Sequence, residues 1–243
     1  MEGHDYPVTA SEVEYTGFRF AVARDRVVMP DGQESDRVYM RHPGAVGAIA
    51  LDDQGRVALI RQYRHPVRQR LWEIVAGLRD VEGEEPRLTA ERELAEEVDL
   101  VADRMDHLLD FHPTPGCSDE LIPLFLARGL RPVPVGARHV RDNEEAELEL
   151  VWWPVPEAVA AIFDGRITNG LAVAGILAVS QKLATGEIGL DVVPPVTDDA
   201  ESSLVSDAGS SLVSDAGSSL VSDAESSLVS DAESSLVSDK GPP

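Results

Sequence analysis

Glu93, Glu96 and Glu97 are the side chains of this sequence best placed to do chemistry together. They end a stretch, Gly77 to Leu100, that carries nine carboxylates against three arginines. At the helical step of about 100° per residue the three glutamates fall within an arc of about 100°. Ala90, Leu94 and Val98 form an adjoining apolar stripe, so the acids lie beside the buried face rather than opposite it. Glu93 and Glu97 are also a like-charge pair one turn apart, which costs a few tenths of a kcal/mol (about 0.2–0.5), and partial burial raises that figure. Oxygen donors packed in this way suit a hard divalent cation such as Mg²⁺, which takes a few carboxylates, keeps waters and bridges phosphates. Arg92 can pair with its acidic neighbours and hold them in place. A solvated acidic surface helix would account for these residues equally well.

The elements that must position this helix can be read around it. Pro86 to Val98 reads as the helix itself, with proline in its first turn. Phe18 to Met29 has strand character, Pro30-Asp31-Gly32 is a turn, and Arg37 to Arg41 can pair back as a hairpin partner. Ala45 to Leu51 and Arg56 to Tyr63 are apolar strands around Asp52-Asp53-Gln54-Gly55, a second hairpin turn. Leu71 to Ala76, His107 to His112, Leu121 to Ala127 and Glu147 to Trp153 read as further strands. Helices are expected over Pro156 to Phe163 and Leu171 to Leu183. Strands and helices do not alternate regularly, which excludes a doubly wound nucleotide fold and favours a mixed sheet clasped by helices.

Composition narrows the function classes. The 243 residues carry 44 acids and 21 basic residues, a formal charge of −23. That balance argues against a nucleic-acid backbone as partner, because phosphate contacts need Lys and Arg. Phosphates can still bind an acidic protein if metal ions screen the contact. Cys117 is the only cysteine, so no intrachain disulfide forms, in keeping with a reducing cytoplasm. It reads as a small buried or half-buried side chain rather than a reactive thiol. The opening MEGHDYPVTASEVEY is acidic and lacks an apolar core, so no secretory signal is expected, and no apolar run is long enough to span a bilayer. Near the other end SSLVSDAG recurs at Ser202 and Ser210, SSLVSDAE at Ser218 and Ser226, and SSLVSDKG at Ser234. A unit offering Leu-Val and one small residue buries too little to offset its ordering entropy, so residues 194–243 read as a disordered acidic tail, or as an adhesive motif for a partner or for self-association.

Gly77 is followed by six residues, then Glu84, then seven residues, then Arg92-Glu93-Leu94-Ala95-Glu96-Glu97. This spacing closely resembles the Nudix box, G-x5-E-x7-R-E-U-x-E-E-x-G-U with U aliphatic, the signature of Nudix hydrolases. Two departures stand out. One extra residue separates Gly77 from Glu84, which casts doubt on a role for Glu84. Asp99 replaces the usual glycine, in a position suited to a left-handed helix cap.

The resemblance runs from about Val13 to Leu183. Arg61-Gln62-Tyr63-Arg64, Leu71-Trp72-Glu73-Ile74-Val75-Ala76-Gly77 and the His112–Glu120 segment containing Thr114-Pro115-Gly116 look like the ADP-ribose pyrophosphatase branch. The resemblance implies an α/β fold of α+β type: a Nudix-like mixed sheet sandwiched between helices, with an N-terminal antiparallel strand region and a disordered tail. It divides the chain into residues 1–44, 45–193 and 194–243. It implies that Glu93, Glu96, Glu97 and the carbonyl of Ala76 hold Mg²⁺, with Mn²⁺ as an alternative. Arg64, Glu73, Thr114, Gly116 and Glu120 would contact substrate. Arg92 would steady the acids.

A second acid cluster, Asp142 to Glu147, would carry the carboxylate that positions or deprotonates the attacking water, at Glu144 or else at Glu145. Plain readings remain beside these: a Pro-Gly turn at Pro115, a solvated loop at Glu144, and a surface ion pair at Arg64. The implied reaction is hydrolysis of the diphosphate of ADP-ribose, or of a related nucleoside diphosphate sugar, to AMP and ribose 5-phosphate. The implied setting is a cytoplasmic homodimer whose residues 13–44 are exchanged between subunits. A Nudix enzyme for another nucleoside diphosphate derivative and a non-catalytic ADP-ribose-binding module are the competing readings.

Overall fold

The computed structural model describes residues 5–141 and 148–190. The expected tail and the candidates Glu144 and Glu145 lie outside the described residues. Three strands come first, β1 (Val8–Thr16), β2 (Ala21–Val28) and β3 (Glu34–Arg41), forming an antiparallel sheet in that order. The Pro30-Asp31-Gly32 turn is present, with Gly32 at φ 80° and its N–H donating to the Met29 carbonyl. β1 leaves little trace in the sequence because every one of its residues is exposed, so no alternation of burial marks it. Phe18 and Phe20 sit in the turn before β2 rather than on a strand, and both are exposed.

The body of the fold follows. β4 (Ala45–Ala50), β5 (Arg56–Arg64), β6 (Gln69–Glu73) and β7 (Val75–Leu78) lead into α1 (Pro86–Val98). Then come β8 (Leu100–Phe111), β9 (Ile122–Pro132), β10 (Glu149–Pro154), α2 (Val155–Phe163) and α3 (Gly170–Thr185). One sheet has the order β7-β4-β9-β8, with β4 and β9 parallel and the remaining pairs antiparallel. The other, β10-β5-β6, is antiparallel. The expected single mixed sheet is therefore divided in two, beside the N-terminal one.

Two local expectations are corrected. Ala45–Leu51 and Arg56–Tyr63 do not form a hairpin. A turn closes through Asp52, but the strands share one bridge, Leu51 with Val57, and then part into different sheets. The run Leu71–Ala76 is likewise two strands, β6 and β7, which change sheet at Ile74. No periodicity reports such a change, because both halves stay apolar.

Burial explains why β4 reads as a continuous apolar run. Ala45, Ile49 and Leu51 point to one core, shared with Ala172, Ile176 and Val179 of α3 and Ala158 and Ala161 of α2. Val46, Ala48 and Ala50 point to another, shared with Ala90, Leu94 and Val98 of α1. Alternate residues on one strand therefore serve opposite layers, with α1 on one side and α2 and α3 on the other. Leu94 is fully buried, so Leu94→Ala would cost about 2–5 kcal/mol.

α1 begins at Pro86 and ends at Asp99, which adopts the left-handed conformation (φ 56°, ψ 35°) and donates its N–H to the Leu94 carbonyl. Aspartate takes that conformation at a cost of about 1 kcal/mol that glycine would avoid. No helix among the described residues is long and apolar enough to cross a membrane.

Candidate active site

The predicted stripe places the acids as expected: Leu94 and Val98 are buried, Glu97 is buried beside them, and Glu93 is half-buried. β7 runs alongside α1, and its Ala76 N–H donates to Glu97 Oε2 at 3.3 Å. Gly77 has a stricter task. A Cβ built on it would overlap the Glu93 carboxylate, so a side chain at 77 and Glu93 in its present place exclude each other. Glycine leaves the room that lets a carboxylate lie against the backbone of the neighbouring strand.

Arg92 supplies the positive charge in this acidic run. Its Nη1 donates to Glu93 Oε1 at 2.7 Å and to Glu96 Oε2 at 3.2 Å. Its Nη2 lies 3.5 Å from Glu84 Oε2 and 3.7 Å from Asp80 Oδ1. Burial by itself would lower the pKa of the guanidinium, but the charges of Glu93, Glu96 and Glu84 outweigh it and hold the pKa raised. Glu84 also accepts from the buried Thr89 hydroxyl at 2.8 Å. Despite the extra residue before it, Glu84 thus reaches Arg92 and braces the first turns of α1.

A cleft of about 580 Å³ opens beside this helix edge, within the usual range for small-ligand sites. It brings together Arg64 from β5, Glu73 and Ala76 from the β6–β7 run, and Thr114 and Glu120 from the loop between β8 and β9. Gly116 does not join them: it lines a smaller recess with Cys117 and Tyr39, because the chain turns away after Thr114 to bridge β3. Cys117 is exposed, not half-buried, for the same reason.

Arg64 meets Glu73 through Nε (3.0 Å) and Nη2 (2.7 Å), a two-pronged ion pair whose carboxylate is 2% exposed. Both residues line the cleft, and Arg64 stays about a third exposed there while engaged in this ion pair.

Three polar cleft residues are not singled out in the sequence reading: Arg19 from the turn before β2, His42 after β3, and Asn169, the N-cap of α3. Asn169 alone carries a local signal, as a capping residue whose side chain accepts from Ala172 N–H at 2.9 Å. The imidazole of His42 accepts the Gly44 N–H on Nδ1 at 3.1 Å and lies 3.4 Å from Glu120.

Among the described residues no three His, Cys, Asp or Glu side chains converge into a ready cage. Arg92 holds Glu93 and Glu96, and the Ala76 N–H engages Glu97. The donor set nonetheless fits a hard divalent cation. It consists of oxygens only, two of the carboxylates are withdrawn from solvent, and Gly77 leaves space for them against the backbone. Glu93, Glu96, Glu97 and the Ala76 carbonyl are the groups that would hold it.

Residues 41–171 match the family model of the NUDIX domain. The chain is 45% identical over 179 residues to the ADP-ribose pyrophosphatase of Mycobacterium tuberculosis, covering 74% of this chain and 85% of that one. It is 36% identical over 152 residues to the methanol dehydrogenase activator of Bacillus methanolicus, covering 63% and 80%. A crystal structure of an ADP compounds hydrolase shares the fold, with a TM-score of 0.63 at 22% identity over 75% of this chain and 96% of that one. Box, strands, helices and length of match agree, and the chain belongs to the Nudix hydrolase family.

Proposed function

We propose that this enzyme hydrolyses the diphosphate bond of ADP-ribose, or of a closely similar nucleoside diphosphate sugar, with Mg²⁺ bound. One observation carries the reading: the cleft holding Arg64, Glu73, Thr114 and Glu120 meets the acidic helix at Ala76 and Gly77. The relative from M. tuberculosis supports the choice of ADP-ribose.

Bound at Glu93, Glu96, Glu97 and the Ala76 carbonyl, the cation would supply charge to offset the diphosphate and to acidify water. The chain's residues do the remainder. Arg64, oriented by Glu73, can reach phosphate oxygens with its planar fork. Arg92 keeps Glu93 and Glu96 apart from random pairings on the helix surface. Glu144 takes the proton of the attacking water, or orients it, as water adds to one phosphorus and the bridging P–O bond breaks. The products are AMP and ribose 5-phosphate. No covalent intermediate with the protein is needed.

The same reading makes the protein a cytoplasmic homodimer. β1 offers nine exposed residues, with Val8, Val13 and Tyr15 among them, as a surface for a second copy.

The deciding experiment is a panel of diphosphate compounds scored by kcat/KM: ADP-ribose, a GDP sugar, a flavin dinucleotide, a dinucleoside polyphosphate and a nucleoside triphosphate. ADP-ribose should lead. Indifference to ADP-ribose beside fast turnover of another member would overturn the substrate assignment.

A further inference from the structure

The cap of α1 is where this chain departs from its own motif, since Asp99 stands in the place of glycine. α1 has no basic residue in its last turn, and its final carbonyls need donors from elsewhere. Arg141 provides them from 42 residues downstream of Asp99. Its Nε donates to the Glu96 carbonyl at 3.0 Å, and its Nη2 donates to Asp99 Oδ2 at 2.5 Å. Arg138 Nη1 lies 4.0 Å from the same carboxylate oxygen, and the Val133 N–H donates to the Asp99 carbonyl at 2.8 Å. Asp99 Oδ1 is buried with no hydrogen-bond partner among the described residues, so the charge of this side chain is answered on one side only. A glycine at 99 would cap the helix with less strain and would leave Arg141 without a carboxylate to grip.

We propose that Asp99 and Arg141 are positioning residues for the reaction. The guanidinium clasps the last turn of α1 by its backbone and by its cap together, and so fixes the direction in which Glu96 and Glu97 present their carboxylates. This rests on reading Glu93, Glu96 and Glu97 as cation ligands. It gives the departure from the box a function: the strain at residue 99 is tolerated because an anchor for Arg141 is gained.

The test uses the full chain. Mn²⁺ alone is titrated by isothermal calorimetry, with E97Q as the blank for weak uptake elsewhere on the acidic chain, beside steady-state kinetics on ADP-ribose with Mg²⁺. R141A should bind Mn²⁺ about tenfold more weakly and lose about tenfold in kcat, with KM within about twofold. R141K, which can donate to one acceptor at a time, should recover part of both. D99N keeps a side chain that tolerates the cap and loses the carboxylate charge, so it should move in the same direction as R141A. The double variant D99N/R141A should fall no further than R141A alone, because one clasp is removed in both.

Wild-type Mn²⁺ affinity in both R141A and D99N would overturn the proposal. So would additive losses, activity that falls only with the folded fraction, or a wild-type chain that takes up no Mn²⁺. If ADP-ribose proves inert while the Mn²⁺ titrations behave as stated, the substrate reading fails and the clasp stands.

Discussion

The carboxylate of Glu93 occupies the space that a side chain on Gly77 would need. Glu93 of α1 thus lies directly against β7, and the first glycine of the box acquires a steric reason. Gly77→Ala should push Glu93 aside. A displacement of about 1 Å at a reacting centre costs about 10²-fold in rate, so kcat should fall by that order. Steady-state kinetics with a thermal melt checks this; a wild-type kcat in a folded Gly77→Ala protein would mean that Glu93 does not need its present place.

Glu97→Gln keeps an oxygen to accept the Ala76 N–H and removes the charge. If Glu97 helps to hold a cation, the loss should reach several kcal/mol of transition-state stabilisation, about 10²-fold or more in turnover, with little change in melting temperature. Unchanged turnover would remove Glu97 from the site.

The Arg64–Glu73 pair separates binding from stability. Arg64→Ala leaves a buried carboxylate unanswered by that fork and should destabilise the fold by about 2 kcal/mol, toward the low end for such pairs because Arg64 is a third exposed. It should also raise KM for ADP-ribose about tenfold, the value of one charge-assisted hydrogen bond. Denaturant melts and kinetics on the same variant measure both. A KM equal to wild type would make the pair structural only.

How much of this was legible in the residues depends on whether the cause was local. α1 is readable to the residue, because Pro86 and the Ala90-Leu94-Val98 stripe lie inside it and the cap at Asp99 directly follows it. The carboxylates follow from the same periodicity. The parting of β4 from β5 was not legible, because the turn at Asp52–Gly55 is a real hairpin signal and the choice of sheet is made by layers far off in sequence. β1 is invisible for the opposite reason, having no buried side to alternate with. Arg64 and Glu73 could be named from their segments. That Arg19, His42 and Asn169 share their cleft depends on tertiary packing, and so does the reach of Arg141 to the end of α1.

Under the proposed reading, which residue of the second acid cluster accepts the proton is a register question. Glu144→Gln should slow kcat by about 10²–10⁴-fold, the usual range for a general base, with KM little altered. Glu145→Gln should have a much smaller effect. The reverse pattern in the same kinetic assay would shift the role by one residue.

The central claim is that the glutamates of α1 act through a bound cation. The most direct measurement is ADP-ribose turnover by the full chain after exhaustive chelation and then with Mg²⁺ restored. The account predicts that turnover falls to background when stripped and returns on readdition. Undiminished turnover by the stripped protein would contradict it.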